Sequence, residues 1–288
     1  MQSARDRDVP FGSSYHTHFS AYLKYYHLDM LEGLLWSYLR WFYEPCRHVY
    51  VPSPSIAEDL RHHGITEGIR LWRRGVNTAR FSPEHRSMAW RRAQGIDDDD
   101  VVIAFVSRLV WEKGLDVYAD VIERLEAQGV PHRSLIVGDG PAQDELEARL
   151  ENTVFTGHLS GDDLSRAYAS SDVFLFPSDT ETFGNVTLEA MASGVPTVCA
   201  NATGSNALVD DGTTGYLAPA GITDAFYDAV RHLVTDDALR TQMGTAAREA
   251  AREYEWDAVL GRMDQYYDEI LGPVVPSGDG ASIPEPAL

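Results

Sequence analysis

Between residues 101 and 200, short apolar runs alternate with longer stretches whose apolar positions recur every third or fourth residue. Runs of the first kind suit buried strands, and spacing of the second kind suits amphipathic helices. Val101–Ser107, Ser134–Val137, Val154–Phe155 and Val173–Phe176 therefore read as strands, and Leu115–Gln128, 141–150, 160–170 and Asn185–Ser193 as helices. Ser160 followed by Asp163 resembles a capping box at the start of helix 160–170, while Gly194 and Pro196 stop the helix that begins at Asn185. Strands alternating with helices predict an α/β fold with a parallel, doubly wound sheet. Past residue 220 the pattern is helical, ending in Trp256–Leu271, and residues 272–288, rich in Pro, Gly and Ser, are expected to be a disordered tail.

The first 86 residues differ in character. Residues 11–50 hold 12 of the chain's 30 aromatic residues, and residues 1–86 hold seven of its ten histidines. Pro10–Thr17, Val49–Val51 and Ile69–Trp72 read as strands and 53–63 as a helix. A long helix lies between the first two strands, with Leu31, Leu34, Leu35, Tyr38, Leu39 and Phe42 predicted as its apolar stripe. Trp36, Arg40, Tyr43 and Arg47 fall on another face, suited either to packing between domains or to a peripheral membrane contact through residues 19–47.

At 288 residues the chain has room for two domains. Its net charge of −20 is unevenly placed: residues 1–86 carry 11 Lys and Arg against 9 Asp and Glu, the rest 13 against 35. So acidic a body disfavours nucleic acid as a partner. Lys24 and Lys113 are the only lysines, a bias that fits a salt-rich cytoplasm and ordinary solubility alike. Cys46 and Cys199 stand alone, without metal-ligand spacing or a disulfide framework, and read as buried thiols in a reducing compartment. With no apolar run of membrane-spanning length and no basic segment leading into an apolar one at the start, a cytoplasmic protein is expected, in one version peripheral at the inner face of the membrane.

The chemistry concentrates in Glu181-Thr182-Phe183-Gly184-Asn185 and the helix that follows, which carries Glu189. A strand, a loop and a helix N-terminus follow one another here, and the first amides of a helix lack internal partners and sit at the positive end of its dipole. They suit a diphosphate, and Gly184 lets a ligand approach the backbone. Glu181 would reach a group on the phosphate side, and Glu189 could accept hydrogen bonds from a diol. A sugar nucleotide offers both. Arg108 and Lys113, on the loop after strand 101–107, can turn toward one pyrophosphate. Val137-Gly138-Asp139-Gly140-Pro141 is not a dinucleotide fingerprint, because Gln143 stands where the third glycine belongs, so a nicotinamide or flavin enzyme is disfavoured.

The Glu181-x7-Glu189 segment resembles the motif of retaining GT-B glycosyltransferases of family 4. That resemblance implies that Glu181 contacts the transferred sugar and Glu189 the ribose hydroxyls, with Thr182, Phe183, Gly184 and Asn185 lining the donor. Arg108-Leu-x-x-x-Lys113-Gly114 is similar to the family segment whose cations neutralise the departing diphosphate, Ser107 standing for the usual Gly. By the same likeness Gly138 and Gly140 lie beneath the donor and Leu159 lies near the base. Tyr15-His16-Thr17 resembles the segment of the family's active-site histidine, which selects His16, with His18 as the competing register.

The family implies a GT-B fold of two Rossmann-like domains facing a cleft. Residues 87–255 would be a complete donor domain, 256–271 a terminal helix crossing back, and 1–86 a partial acceptor-side domain without its opening strands. The implied activity is retaining transfer of a hexose, mannose favoured, from a GDP- or UDP-linked sugar to a lipid or glycan acceptor, with no cofactor and no metal. Tyr15-His16-Thr17, Leu71–Asn77 and Glu181–Gly184 resemble most the GDP-mannose-dependent α-mannosyltransferases and the sulfoquinovosyl- and glycosyl-lipid transferases. The alternatives are a catalytically impaired sugar-nucleotide-binding fragment and a non-hydrolysing nucleotide-sugar epimerase, whose further acid and base residues find no place in the sequence.

Overall fold

A computed structural model describes residues 10–16 and 29–271; Thr17, His18, residues 19–28 of the 19–47 segment and the tail beyond Leu271 lie outside them. Among the described residues the chain forms two parallel sheets. The smaller has the order β1-β2-β3, with β1 at Gly12–Ser14, β2 at His48–Val51 and β3 at Ile69–Leu71. The larger has the order β6-β5-β4-β7-β8-β9: β4 Val102–Val106, β5 Arg133–Val137, β6 Thr153–Phe155, β7 Val173–Phe176, β8 Thr197–Ala200 and β9 Gly215–Ala218. Strands β4, β7 and β8 are buried along their whole length, which explains their unbroken apolar runs. Phe105, Phe174, Phe176, Tyr118 and Tyr168 fill the space between sheet and helices, each fully buried, and each such side chain contributes about 1.5–3 kcal/mol relative to exposure.

The strand order places the site. From β4 the chain steps outward through β5 and β6, then returns and steps the other way through β7, β8 and β9, so the order reverses between β4 and β7. A crevice opens beyond the carboxyl ends of strands at such a reversal. The loops that leave there are Ser107–Gly114 and Pro177–Gly184.

Two local expectations are corrected. In the helix Glu32–Tyr43 the buried residues are Trp36, Leu39 and Tyr43, whereas Leu34 and Tyr38 of the predicted stripe are exposed at 71% and 54%. Trp36 stacks on His63 with ring centroids 3.7 Å apart, and Arg40 Nη1 donates to the His63 carbonyl at 3.0 Å, so this face packs on the end of helix Pro54–His62. The Ser160 side chain makes no cap on helix Gly161–Ala169, and Asp163 pairs with Arg166 instead, at 2.7 Å. Both cysteines are free and buried, as their isolation suggests.

The helix Trp256–Leu271 returns to the small sheet. Tyr266 Oη donates to the Leu71 carbonyl at 2.9 Å, Arg70 Nε donates to Glu269 Oε2 at 2.9 Å, and Met263 and Ile270 pack against Tyr50. No helix among the described residues is long and apolar enough to cross a membrane.

Candidate active site

Beyond β4 the chain turns through Ser107–Leu109 into a short 3-10 turn, Trp111–Lys113. Lys113 is only 7% exposed, and its ammonium lies 2.6 Å from Glu181 Oε1, 68 positions along the chain. Arg108 is the opposite case: its side chain is 69% exposed and only loosely engaged, with Nη2 3.9 Å from Glu112 Oε1. One cation is locked on the acidic loop and the other is free to swing onto a ligand.

Beyond β7 the acidic loop ends at Gly184, whose φ of 87° lies in the left-handed region and brings the chain sharply into helix Asn185–Ala192. Among the described residues no side chain caps that helix, so its first amides keep their donors. Asn185 is exposed, while Phe183 is 3% exposed and its ring lies 6.0 Å from that of Tyr254. Phe183 is therefore a core residue.

Glu189, in the second turn of the helix, accepts a hydrogen bond on Oε2 from Tyr168 Oη at 2.9 Å. Burial pushes its carboxyl up to about 7, against the opposing pull of the Tyr168 hydrogen bond and the Arg80 charge.

The small sheet meets this assembly directly. Thr182 Oγ1 donates to the His16 carbonyl at 3.1 Å, just past β1. Ser55 Oγ donates to the Thr203 carbonyl at 2.8 Å, and Thr203 Oγ1 donates to the Glu181 carbonyl at 2.7 Å. His16 stands across from the acidic loop with its ring tilted against Trp72 at 5.7 Å and a buried Nδ1 that has no hydrogen-bond partner among the described residues. Burial first, then the nearby Arg74 charge, holds its pKa below the usual 6.5, so the ring is neutral near pH 7.

Gly138 and Gly140 support the Arg108 loop. A Cβ at Gly138, where φ is 139°, would lie 1.8 Å from the Ser107 carbonyl oxygen. The two loops are tied by Leu109 N donating to the Asp139 carbonyl at 2.8 Å. Leu159 is half-buried and packs against the large core from the loop after β6. Lys113, Glu181, Thr182 and His16 are thus brought into one chain of contacts. Arg108 lies on the Lys113 loop, Glu189 on the helix that follows Glu181, and Leu159 on the loop after β6. Tyr168, Ser55 and Thr203 were not anticipated, since a tyrosine at core spacing or a hydroxyl in a loop carries no local sign of its partner.

The sequence model of the family described as "Glycosyl transferases group 1" matches residues 87–250, and that of "Glycosyltransferase Family 4" matches residues 1–80. The chain belongs to the glycosyltransferase group 1 family. Among relatives of this glycosyltransferase-family chain, sulfoquinovosyl transferase SQD2 of Arabidopsis thaliana is 36% identical over 273 residues, covering 91% of this chain and 53% of that protein. A GDP-mannose-dependent alpha-mannosyltransferase of Corynebacterium glutamicum is 33% identical over 269 residues, 93% of this chain and 64% of its own length. The chain thus spans between half and two thirds of these two relatives. Among solved structures, sucrose-phosphate synthase from Thermosynechococcus elongatus superposes with a TM-score of 0.80 at 22% identity, over 93% of this chain and 70% of that one. Anabaena Alr3699/HepE in complex with UDP-glucose superposes at 0.77 and 20%, over 93% and 74%. The likeness establishes the GT-B type of α/β fold.

Proposed function

We propose that this glycosyltransferase-family chain transfers a hexose, with mannose favoured, from a GDP- or UDP-linked sugar to a lipid or glycan acceptor, with retention and without a bound metal. The observation that carries the reading is the meeting of Lys113 and Glu181, 2.6 Å apart, on the two loops that leave the strand-order reversal. In the proposed reaction the bond between the anomeric carbon and the diphosphate oxygen breaks, and both electrons leave with the diphosphate. The acceptor hydroxyl attacks the same face, and its proton passes to the departing diphosphate. Arg108, Lys113 and the uncapped N-terminus of helix Asn185–Ala192 supply positive potential where that charge develops. Glu181 and His16 flank the transferred sugar, Glu189 takes the ribose hydroxyls, and the backbone of Gly157–Leu159 faces the base.

The relatives' names, which include GDP-mannose, and the UDP-glucose bound to the Anabaena protein make both nucleotides the donors to test. Calorimetry with GDP, UDP and their sugars, followed by transfer assays with and without EDTA, is the experiment. Transfer that survives EDTA is the expected result. Binding without transfer would favour a sugar-nucleotide-binding piece of such an enzyme, and binding of neither nucleotide would end the reading.

A peripheral membrane contact is a second element of the proposal, supported by Met30, Leu34, Tyr38 and Trp41, which follow one another at helical spacing and are 89%, 71%, 54% and 62% exposed. Aromatic and aliphatic side chains in such a row suit the boundary between headgroups and acyl chains. Sedimentation with phosphatidylglycerol vesicles should retain the unmodified chain and release Leu34→Ser/Trp41→Ser; equal partition of the two would remove this contact.

A further inference from the structure

The reading of Glu189 as the group that holds the donor's ribose leaves open what aims its carboxylate. Among the described residues Tyr168 is the one group that hydrogen-bonds it, donating to Oε2 at 2.9 Å and leaving Oε1 with its lone pairs. The tyrosine is fully buried. Its ring is held edge-on to Phe81 at 5.7 Å and tilted against Phe174 at 5.9 Å, so the hydroxyl has little freedom to follow a wandering partner. One turn before it on the same helix, Ser165 Oγ donates to the Arg80 carbonyl, which ties the linker carrying Arg80 to this helix.

We propose that Tyr168 is a positioning residue for donor binding. By occupying one lone pair of Oε2, its hydroxyl turns Oε1 and the remaining Oε2 lone pair toward the two neighbouring hydroxyls of a ribose. The inference rests on the ribose role of Glu189 and adds to it a residue that touches no substrate.

The electrostatics agree with the geometry. Burial drives the Glu189 carboxyl up to about 7, and the Tyr168 hydrogen bond favours the ionised form that a diol needs as acceptor. The other charge facing the carboxylate is that of Arg80. The helix Asn185–Ala192 carries no further titratable group. Arg248, from the helix packed behind it, donates to the Ala192 carbonyl at 2.6 Å, and Cys199 of β8 faces Thr187 at 3.7 Å. Removing the Tyr168 hydroxyl takes away a hydrogen bond to the charged form, so it raises the Glu189 pKa further.

The test is calorimetry with GDP and UDP over pH 6–9 on the unmodified chain, Tyr168→Phe, Glu189→Gln and the double variant. For Tyr168→Phe we expect affinity about 10- to 150-fold weaker at pH 7, in line with a hydrogen bond to a charged group, and partial recovery at pH 9. Glu189→Gln should bind weakly with a flat pH profile, and adding Tyr168→Phe to it should cost little more. A role in packing alone would lower the melting temperature of Tyr168→Phe and leave the pH profile in place. Unchanged affinity and profile in Tyr168→Phe, or full additivity in the double variant, overturns the positioning role while the Glu189 reading stands. Unchanged affinity in Glu189→Gln overturns the ribose reading itself, and the positioning role with it.

Discussion

Replacing Lys113 by methionine keeps the bulk of a side chain that is 7% exposed but deletes the ammonium 2.6 Å from Glu181 Oε1. Removing one partner of a buried ion pair costs about 3–5 kcal/mol, because the other charge stays buried and alone. The Glu181 side chain retains 21% of its exposure, so water recovers part of that loss, and we expect a destabilisation of about 1–3 kcal/mol. In the proposed reaction the same ammonium faces the leaving diphosphate, and loss of one preorganised donor costs on the order of 10²-fold in turnover. The two effects separate in Lys113→Met/Glu181→Gln, where no charge is stranded. Stability should return to within about 1 kcal/mol of the unmodified chain, while turnover stays low. Urea denaturation and initial transfer rates with the preferred donor measure both. A Lys113→Met chain as stable as its parent, or a double variant that regains turnover, would refute the reasoning.

Glu189 makes stability depend on pH with a definite sign. Its carboxyl rises from the ordinary 4.5 to about 7 on folding, so the folded chain holds the extra proton and the stabilisation is lost as pH climbs through that interval. Glu189→Gln should therefore melt higher than the unmodified chain at pH 8 and about level with it at pH 4, as thermal scans would show. Gly138→Ala forces a methyl to within 1.8 Å of the Ser107 carbonyl oxygen and should cost about 2–4 kcal/mol, measured by chemical denaturation; a cost near zero would mean the two loops are not interlocked as described. Thr182→Val removes the donor to the His16 carbonyl, and should slow transfer about 10-fold through lost alignment, as initial rates would show.

The sequence by itself determined the strands and helices of residues 101–193, because a buried parallel strand and an amphipathic helix each write their burial into a short local pattern. It also marked the loops after β4 and β7 as the place of the chemistry, since charged and glycine residues at strand ends stand out against apolar runs. Strands β8 and β9 were less legible, because Thr197-Val-Cys-Ala and Gly215-Tyr-Leu-Ala mix small and polar residues with apolar ones and make no unbroken apolar run. In helix Glu32–Tyr43 apolar residues lie on nearly every face, so periodicity could not choose which one is buried. Docking against His63 and the small sheet made that choice, and it fell on Trp36, Leu39 and Tyr43.

Pairing was decided only by the tertiary structure. Lys113 finds Glu181 across 68 positions, Thr182 finds His16 across 166, and Tyr168 finds Glu189 across 21. Hydrogen bonds and ion pairs are set by distances of about 3 Å between side chains, and the separation of two residues along a chain says nothing of that distance until β4 and β7 are laid side by side and two sheets are brought together.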